Sequence, residues 1–181
     1  MPRLIVINGP PGCGKSTLAR RYADDHSLVL NLDIDRLRSS IGRWRDDPPA
    51  AGLLARAIAL AATRVHLAAG HDVVIPQFIS RAGFLLQLED LARDAGVAFC
   101  EIILLDSKEN ALRRFAERGR QADPQSREAH EIAGHQGGVN ELSEMYDRLV
   151  ALIASRPGSM VIPSRDGESE QAYQDLLSAL R

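Results

Sequence analysis

Gly9-Pro10-Pro11-Gly12-Cys13-Gly14-Lys15-Ser16 has the spacing G-x-x-x-x-G-K-S/T, and its surroundings restrict how the chain can fold. An apolar β-branched run, Leu4-Ile5-Val6-Ile7, precedes it, and a helical pattern, Thr17-Leu18-Ala19-Arg20-Arg21-Tyr22-Ala23, follows. Strand, glycine loop and helix in that order distinguish a phosphate-binding loop from a chance match. Glycines let the backbone curl until successive N–H groups point inward at phosphate oxygens. The helix N-terminus behind them adds unpaired donors and a favourable dipole. Lys15 can reach the β- and γ-phosphates, and the Ser16 hydroxyl can hold Mg²⁺. Residues Gly9 to Ser16, with Thr17 beside them, are therefore the expected nucleotide-binding element.

With 181 residues, the chain fits one domain, expected to span 1–181 and long enough to bury a large core. Apolar residues make up 45% and charged residues 25%, which suits a folded globular protein and excludes a disordered one. A net charge of −2 gives no general case for nucleic acid or an anionic membrane as partner. Lys15 and Lys108 are the only lysines among 22 basic residues, so a lysine inside the glycine loop stands out from its background. Cys13 and Cys100 suggest neither a disulfide framework nor a metal site. Cys13 is either a small side chain at a variable loop position or a thiol activated beside Lys15 and a helix N-terminus. The N-terminal apolar run is too short for a signal peptide, and the cytoplasm is the expected location.

The apolar period alternates between short β-like runs and longer amphipathic stretches. Strands are predicted at 3–8, 28–32, 72–75, 97–105 and 159–162. Helices are predicted at 16–25, 35–41, 50–69, 82–95, 107–118, 138–155 and 168–180, with Gly70 closing the third. Strands separated by helices indicate an α/β fold with a parallel sheet covered on both faces. Two polar stretches break the rhythm: 42–49, which holds Trp44, and 119–137, which is long for a connection inside a compact domain. Long loops at the strand C-terminal ends are commonly lids or binding loops.

The second strand runs into Asn31-Leu32-Asp33-Ile34-Asp35-Arg36-Leu37-Arg38. Carboxylates two residues apart at that edge have two chemical uses. One is to order the shell of Mg²⁺; the other is to accept a proton from a hydroxyl attacking the γ-phosphate. Either aspartate can instead cap the helix that follows. Capping and catalysis can coexist at one residue.

The loop GPPGCGKST, the Asp-Ile-Asp after strand 2 and the arginine-rich helix after strand 4 resemble the P-loop small-molecule kinases. Within them the chain is most similar to the group of polynucleotide 5′-hydroxyl kinases, chloramphenicol phosphotransferase and zeta toxins, with shikimate and gluconate kinases nearby. That resemblance implies a three-layer P-loop NTPase fold with sheet order 2-3-1-4-5. It also implies transfer of the ATP γ-phosphate to a hydroxyl, with Asp33 assisting Mg²⁺ and Asp35 orienting or deprotonating the acceptor. A lid is implied over about 107–137, carrying Arg113, Arg114, Arg118 and Arg120. Arg114 and Arg118 share a helix face. These arginines either clamp nucleotide and transferring phosphate, Arg118 catalytically and Arg114 and Arg120 on the nucleotide, or form a solvated face with Glu109 and Glu117.

After strand 3 the resemblance breaks, because Val74-Ile75-Pro76-Gln77-Phe78 holds Gln77 where many such kinases place an acidic residue or asparagine. Gln77 can donate and accept hydrogen bonds but cannot be an anionic metal ligand. Gln77, Arg81 and Arg38 are candidate acceptor contacts, with Ser80 beside them. Trp44 either stacks on a substrate ring or packs over the core. Arg165, after the last strand, is placed where related kinases wrap the adenine. His130 and His135 lack a metal-ligand pattern. The expected activity is an ATP- and Mg²⁺-dependent kinase for a small-molecule hydroxyl such as an antibiotic, sugar or nucleoside. The alternatives are a nucleoside monophosphate kinase, a polynucleotide 5′-hydroxyl kinase, or a nucleotide-binding regulatory module without phosphoryl transfer.

Overall fold

The computed structural model describes residues 1–118 and 138–181. In chain order the elements are β1 (Arg3–Asn8), α1 (Lys15–Asp25), β2 (Leu30–Asn31), α2 (Ile34–Ser39), α3 (Pro48–Ala68), β3 (Val73–Pro76), α4 (Ala82–Asp94), β4 (Ala98–Leu105), α5 (Lys108–Arg118), α6 (Gly138–Ala154), β5 (Met160–Pro163) and α7 (Ser169–Ala179). The strands form one sheet in the order β2-β3-β1-β4-β5. Every neighbouring pair is parallel. That is the order and sense the resemblance implies.

Strand β1 lies at the centre, and its period of two divides the core. Leu4 and Val6 join one apolar cluster with Ala55 and Ala59 of α3 and Leu85 and Leu88 of α4. Ile5 and Ile7 join a second with Leu18 and Tyr22 of α1 and Tyr173 and Leu176 of α7. Such runs of fully buried residues are what a parallel sheet covered on both faces demands.

Two predicted boundaries move for identifiable reasons. β2 shortens to Leu30–Asn31, because Leu28 takes a left-handed φ of 60° that ends extended pairing before it. α3 starts two residues early, at Pro48-Pro49, which the sequence reading placed in a loop. Proline fits the first helical turn, where its missing N–H has no partner to lose, and Asp47 caps the helix by accepting from the Ala50 N–H at 3.1 Å. Gly70 takes a φ of 90° after the C-cap residue Ala69 and closes α3 as predicted.

Helix α3 is long and apolar enough by composition to cross a membrane. One of its faces nevertheless buries Ala51, Ala55, Ala59, Thr63 and Leu67 at four-residue spacing. Leu54, Ile58 and Val65 stay exposed on the other side.

Candidate active site

The loop between β1 and α1 is a concave backbone turn made possible by its glycines. Gly14 precedes α1 in a left-handed conformation with φ 92°. At Gly9 a Cβ would sit 2.4 Å from the Leu104 carbonyl oxygen of β4 and 2.7 Å from Cys13 Sγ. No side chain fits there. Lys15 Nζ turns back into the loop and donates to the carbonyls of Gly9 and Pro10, each at 2.9 Å, with Cys13 Sγ at 3.9 Å. Its ammonium thus occupies the inside of the turn. Ser16 and Thr17 are exposed in the first turn of α1. Cys13 is buried and unbridged.

Beside this loop the start of α2 carries both aspartates. Asp33 is the N-cap: its Oδ1 accepts from the N–H groups of Asp35 at 3.0 Å and Arg36 at 3.2 Å. Its Oδ2 takes no part in the cap and lies 3.9 Å from Arg36 Nε. Capping is thus settled for Asp33, with one oxygen left over. Asp35 sits in the first turn and does not cap. Its side chain is 57% exposed, with Arg38 against one face. Partial desolvation raises its pKa, Arg38 opposes the rise, Asp33 adds to it, and Lys15 and Gln77 oppose it. Lys15, Asp33, Asp35, Arg38 and Gln77 are therefore brought together by α1, α2 and the exit of β3.

Gln77 is held through its backbone, whose N–H donates to the Ile7 carbonyl at 3.1 Å, and its Oε1 is buried without a hydrogen-bond partner. Arg38 Nη2 lies 3.2 Å from Asp35 Oδ1. Its guanidinium also covers the Trp44 ring at 5.0 Å, and Arg45 covers the same ring at 4.4 Å. Trp44 is only 8% exposed. Of the two readings of Trp44, the structure supports packing, because the ring is already covered and offers no open stacking platform. Arg81 is an exposed residue just before α4.

A second cleft lies across the loop, lined by residues 12–14, Thr17, Arg114 and residues 164–169. Arg114, expected on the nucleotide, lines this cleft and is 8% exposed and fixed in place. Its Nη2 donates to Asp106 Oδ2 and to the Ser164 carbonyl. Ser164 Oγ in turn donates to the Cys13 carbonyl at 2.7 Å. Arg114 thus forms part of the cleft wall and braces it. Burial raises the Asp106 pKa, but hydrogen bonds from Asn110 and the Ser107 N–H and the charges of Arg114 and Arg113 outweigh it, leaving a net lowering. Arg113 lies 3.7 Å from Asp166, and Arg165 lies exposed at the cleft 3.6 Å from Glu168. Arg118 ends α5, but its side chain lies outside what the structure describes, as do Arg120, His130, His135 and the lid segment 119–137.

Sequence reasoning missed Asn8, Asp106 and Ser164. Each is a polar residue at the C-terminal end of a strand or one step beyond it. In an open α/β sheet, that position is the available signal. Among the described residues no group of three or more His, Cys, Asp or Glu could hold a metal by itself. Ser16 and Asp33 carry the oxygen donors expected for a metal, the Asp33 Oδ2 lying 3.9 Å from Arg36 Nε. Oxygen donors of this type match the chemistry of Mg²⁺, which takes one or two protein ligands and completes its shell with phosphate oxygens and water.

Comparison with known proteins agrees with this geometry. An adenylate kinase of Deinococcus radiodurans is 26% identical over 191 aligned residues, covering 98% of this chain and 96% of that protein. The APS kinase of Mycobacterium tuberculosis, solved with AMPPNP and APS, superposes with a TM-score of 0.61 at 19% identity, covering 99% of this chain and 97% of the other. The tunicamycin resistance protein of D. radiodurans superposes with a TM-score of 0.64 at 16% identity, covering 99% and 96%. These likenesses establish the P-loop kinase fold. The AAA_33 family, described as an AAA domain, matches residues 4–140, most of the chain, and the protein belongs to that family.

Proposed function

We propose that this protein is a phosphotransferase that moves the γ-phosphate of Mg-ATP to a hydroxyl group of a small molecule. The observation that carries the reading is the grouping of Asp35 with Lys15 and Gln77 at the edge of the phosphate loop. The loop amides and Lys15 hold the triphosphate, for which Lys15 exchanges its carbonyl partners for phosphate oxygens. The base lies in the cleft braced by Arg114, with Arg165 at its edge. Ser16 and Asp33 would hold Mg²⁺, which would supply neutralising positive charge at the phosphates. Asp35 accepts the proton of the attacking hydroxyl while the new O–P bond forms and the bond from the γ-phosphorus to the bridging oxygen breaks, releasing ADP. A carboxylate with a raised pKa is a stronger base for that task. Gln77, half-buried at the exit of β3 beside Asp35, offers its side-chain amide as a contact for the acceptor.

A nucleoside monophosphate acceptor is the second reading, favoured by the full-length likeness to an adenylate kinase. Against it stand the Asp33 and Asp35 carboxylates on the acceptor side, which repel an anionic acceptor and suit a hydroxyl that must lose a proton. Arg38, whose Nε is buried without a hydrogen-bond partner, and the exposed Arg81 are the cations that would meet a monophosphate.

The test is transfer from γ-labelled Mg-ATP to separate pools of antibiotics, sugars, nucleosides, 5′-hydroxyl oligonucleotides and nucleoside monophosphates. Product in a small-molecule hydroxyl pool is expected, abolished by Lys15→Ala and reduced about 10²- to 10⁴-fold by Asp35→Asn. Product only with monophosphates, or only with oligonucleotides, would move the assignment to that acceptor. ATP binding with no product in any pool would instead mark a nucleotide-binding regulatory module.

A further inference from the structure

Asn8 is the last residue of β1 and is completely buried. Its amide makes three hydrogen bonds. Nδ2 donates to the Ile79 carbonyl at 2.8 Å, while Oδ1 accepts from the Ile79 N–H at 2.9 Å and from the Gly9 N–H at 2.8 Å. One side chain therefore reproduces a strand-like pairing with Ile79, 71 residues away, and also holds the first amide of the phosphate loop. The Gln77 N–H continues the pairing by donating to the Ile7 carbonyl. Residues 77–81 lead from β3 to α4, and Gln77 reaches the Asp35 carboxylate from this segment. Asparagine is the residue that suits the geometry. Aspartate lacks the donor for the Ile79 carbonyl, and leucine, of similar shape, lacks every partner.

We propose that Asn8 is a positioning residue that locks the acceptor-side segment 77–81 to the phosphate loop, so that nucleotide at residues 9–16 also orders the segment carrying Gln77. The inference rests on the nucleotide-binding reading above. A nucleotide that fixes the Gly9 amide fixes Asn8 Oδ1, which then holds the Ile79 amide. Nucleotide binding would thereby further restrain acceptor contacts that the Asn8 bonds already tie to the loop.

Hydrogen exchange on the full chain, with and without saturating Mg-AMPPNP, separates this from a merely structural role. In the wild type, AMPPNP is expected to slow amide exchange in both 9–16 and 77–81. In Asn8→Ala the slowing at 9–16 persists, the slowing at 77–81 disappears, and the Ile79 amide exchanges about tenfold faster, the effect of losing one buried hydrogen bond. If Asn8→Ala does not fold, Asn8→Ser, too short to pair with both groups of Ile79, carries the same expectation. Equal nucleotide-dependent slowing of 77–81 in variant and wild type would overturn the inference, as would slowing confined to 9–16 in the wild type. Failure of wild type to bind AMPPNP would remove the nucleotide reading and this inference with it.

Discussion

Arg114→Met isolates what the brace between the two sides of the nucleotide cleft contributes. The Arg114 and Asp106 side chains are 10% and 12% exposed, so the pair lies in the regime where removing one partner leaves an uncompensated buried charge. Such removals cost about 3–5 kcal/mol. Asp106 keeps its bonds from Asn110 Nδ2 at 3.0 Å and the Ser107 N–H at 2.7 Å, which places the expected loss near the lower end, about 3 kcal/mol. With a urea dependence of about 2–3 kcal/mol/M, the midpoint of unfolding should fall by about 1–1.5 M. Asp106→Asn and the double variant complete a cycle, and their non-additivity should reach about 1.5–3 kcal/mol if the two groups act as one unit. The pH dependence has a definite sign. Because folding lowers the Asp106 pKa, its contribution is present above the ordinary aspartate value and fades as pH falls through the folded one. A loss below about 1 kcal/mol at neutral pH, the range of a screened surface pair, would refute the buried-brace account.

The two aspartates of α2 should separate in a stability assay. Asp33→Ala removes a helix cap and should cost about 1 kcal/mol. Asp35→Asn should instead stabilise the fold at neutral pH, because folding raises the Asp35 pKa and so disfavours its charge. That gain should shrink as pH falls through the raised value and vanish below the ordinary aspartate value, and a destabilised Asp35→Asn at pH 7 would contradict the environment described for it. Trp44→Ala should cost about 3–5 kcal/mol in circular-dichroism melts while leaving saturable AMPPNP binding intact. A near-neutral effect there would restore the open-platform reading of Trp44.

How much of this was readable beforehand depends on how far apart the interacting residues lie in sequence. The phosphate loop, the strand and helix pattern and the cap at Asp33 are all local: each rests on residues within a few positions of one another. Pro48-Pro49 misled because proline marks both the end of regular structure and the first turn of a helix, and only Asp47 before them distinguishes the cases. Trp44 was ambiguous because no sequence pattern reports that Arg38 and Arg45 both come to its ring. Arg114 pairs with Ser164 across 50 residues and Asn8 with Ile79 across 71, and no periodicity within a single sequence encodes such pairings. Charge points Arg114 at the nucleotide; only the structure shows that its bonds to Asp106 and Ser164 also brace the cleft wall.

Gly9 carries a consequence for tracing descent among such chains. Its side is closed off by the Leu104 carbonyl of a neighbouring strand, so the demand for glycine comes from the sheet itself and persists with or without phosphate chemistry. A descendant that had lost catalysis would still be selected to keep this glycine, merely to fold. Lys15 bonds only to carbonyls and a sulfur of its own loop, so folding imposes no comparable demand on it. Across diverging copies of this chain, the surviving glycine therefore records ancestry, whereas the surviving lysine records continued use.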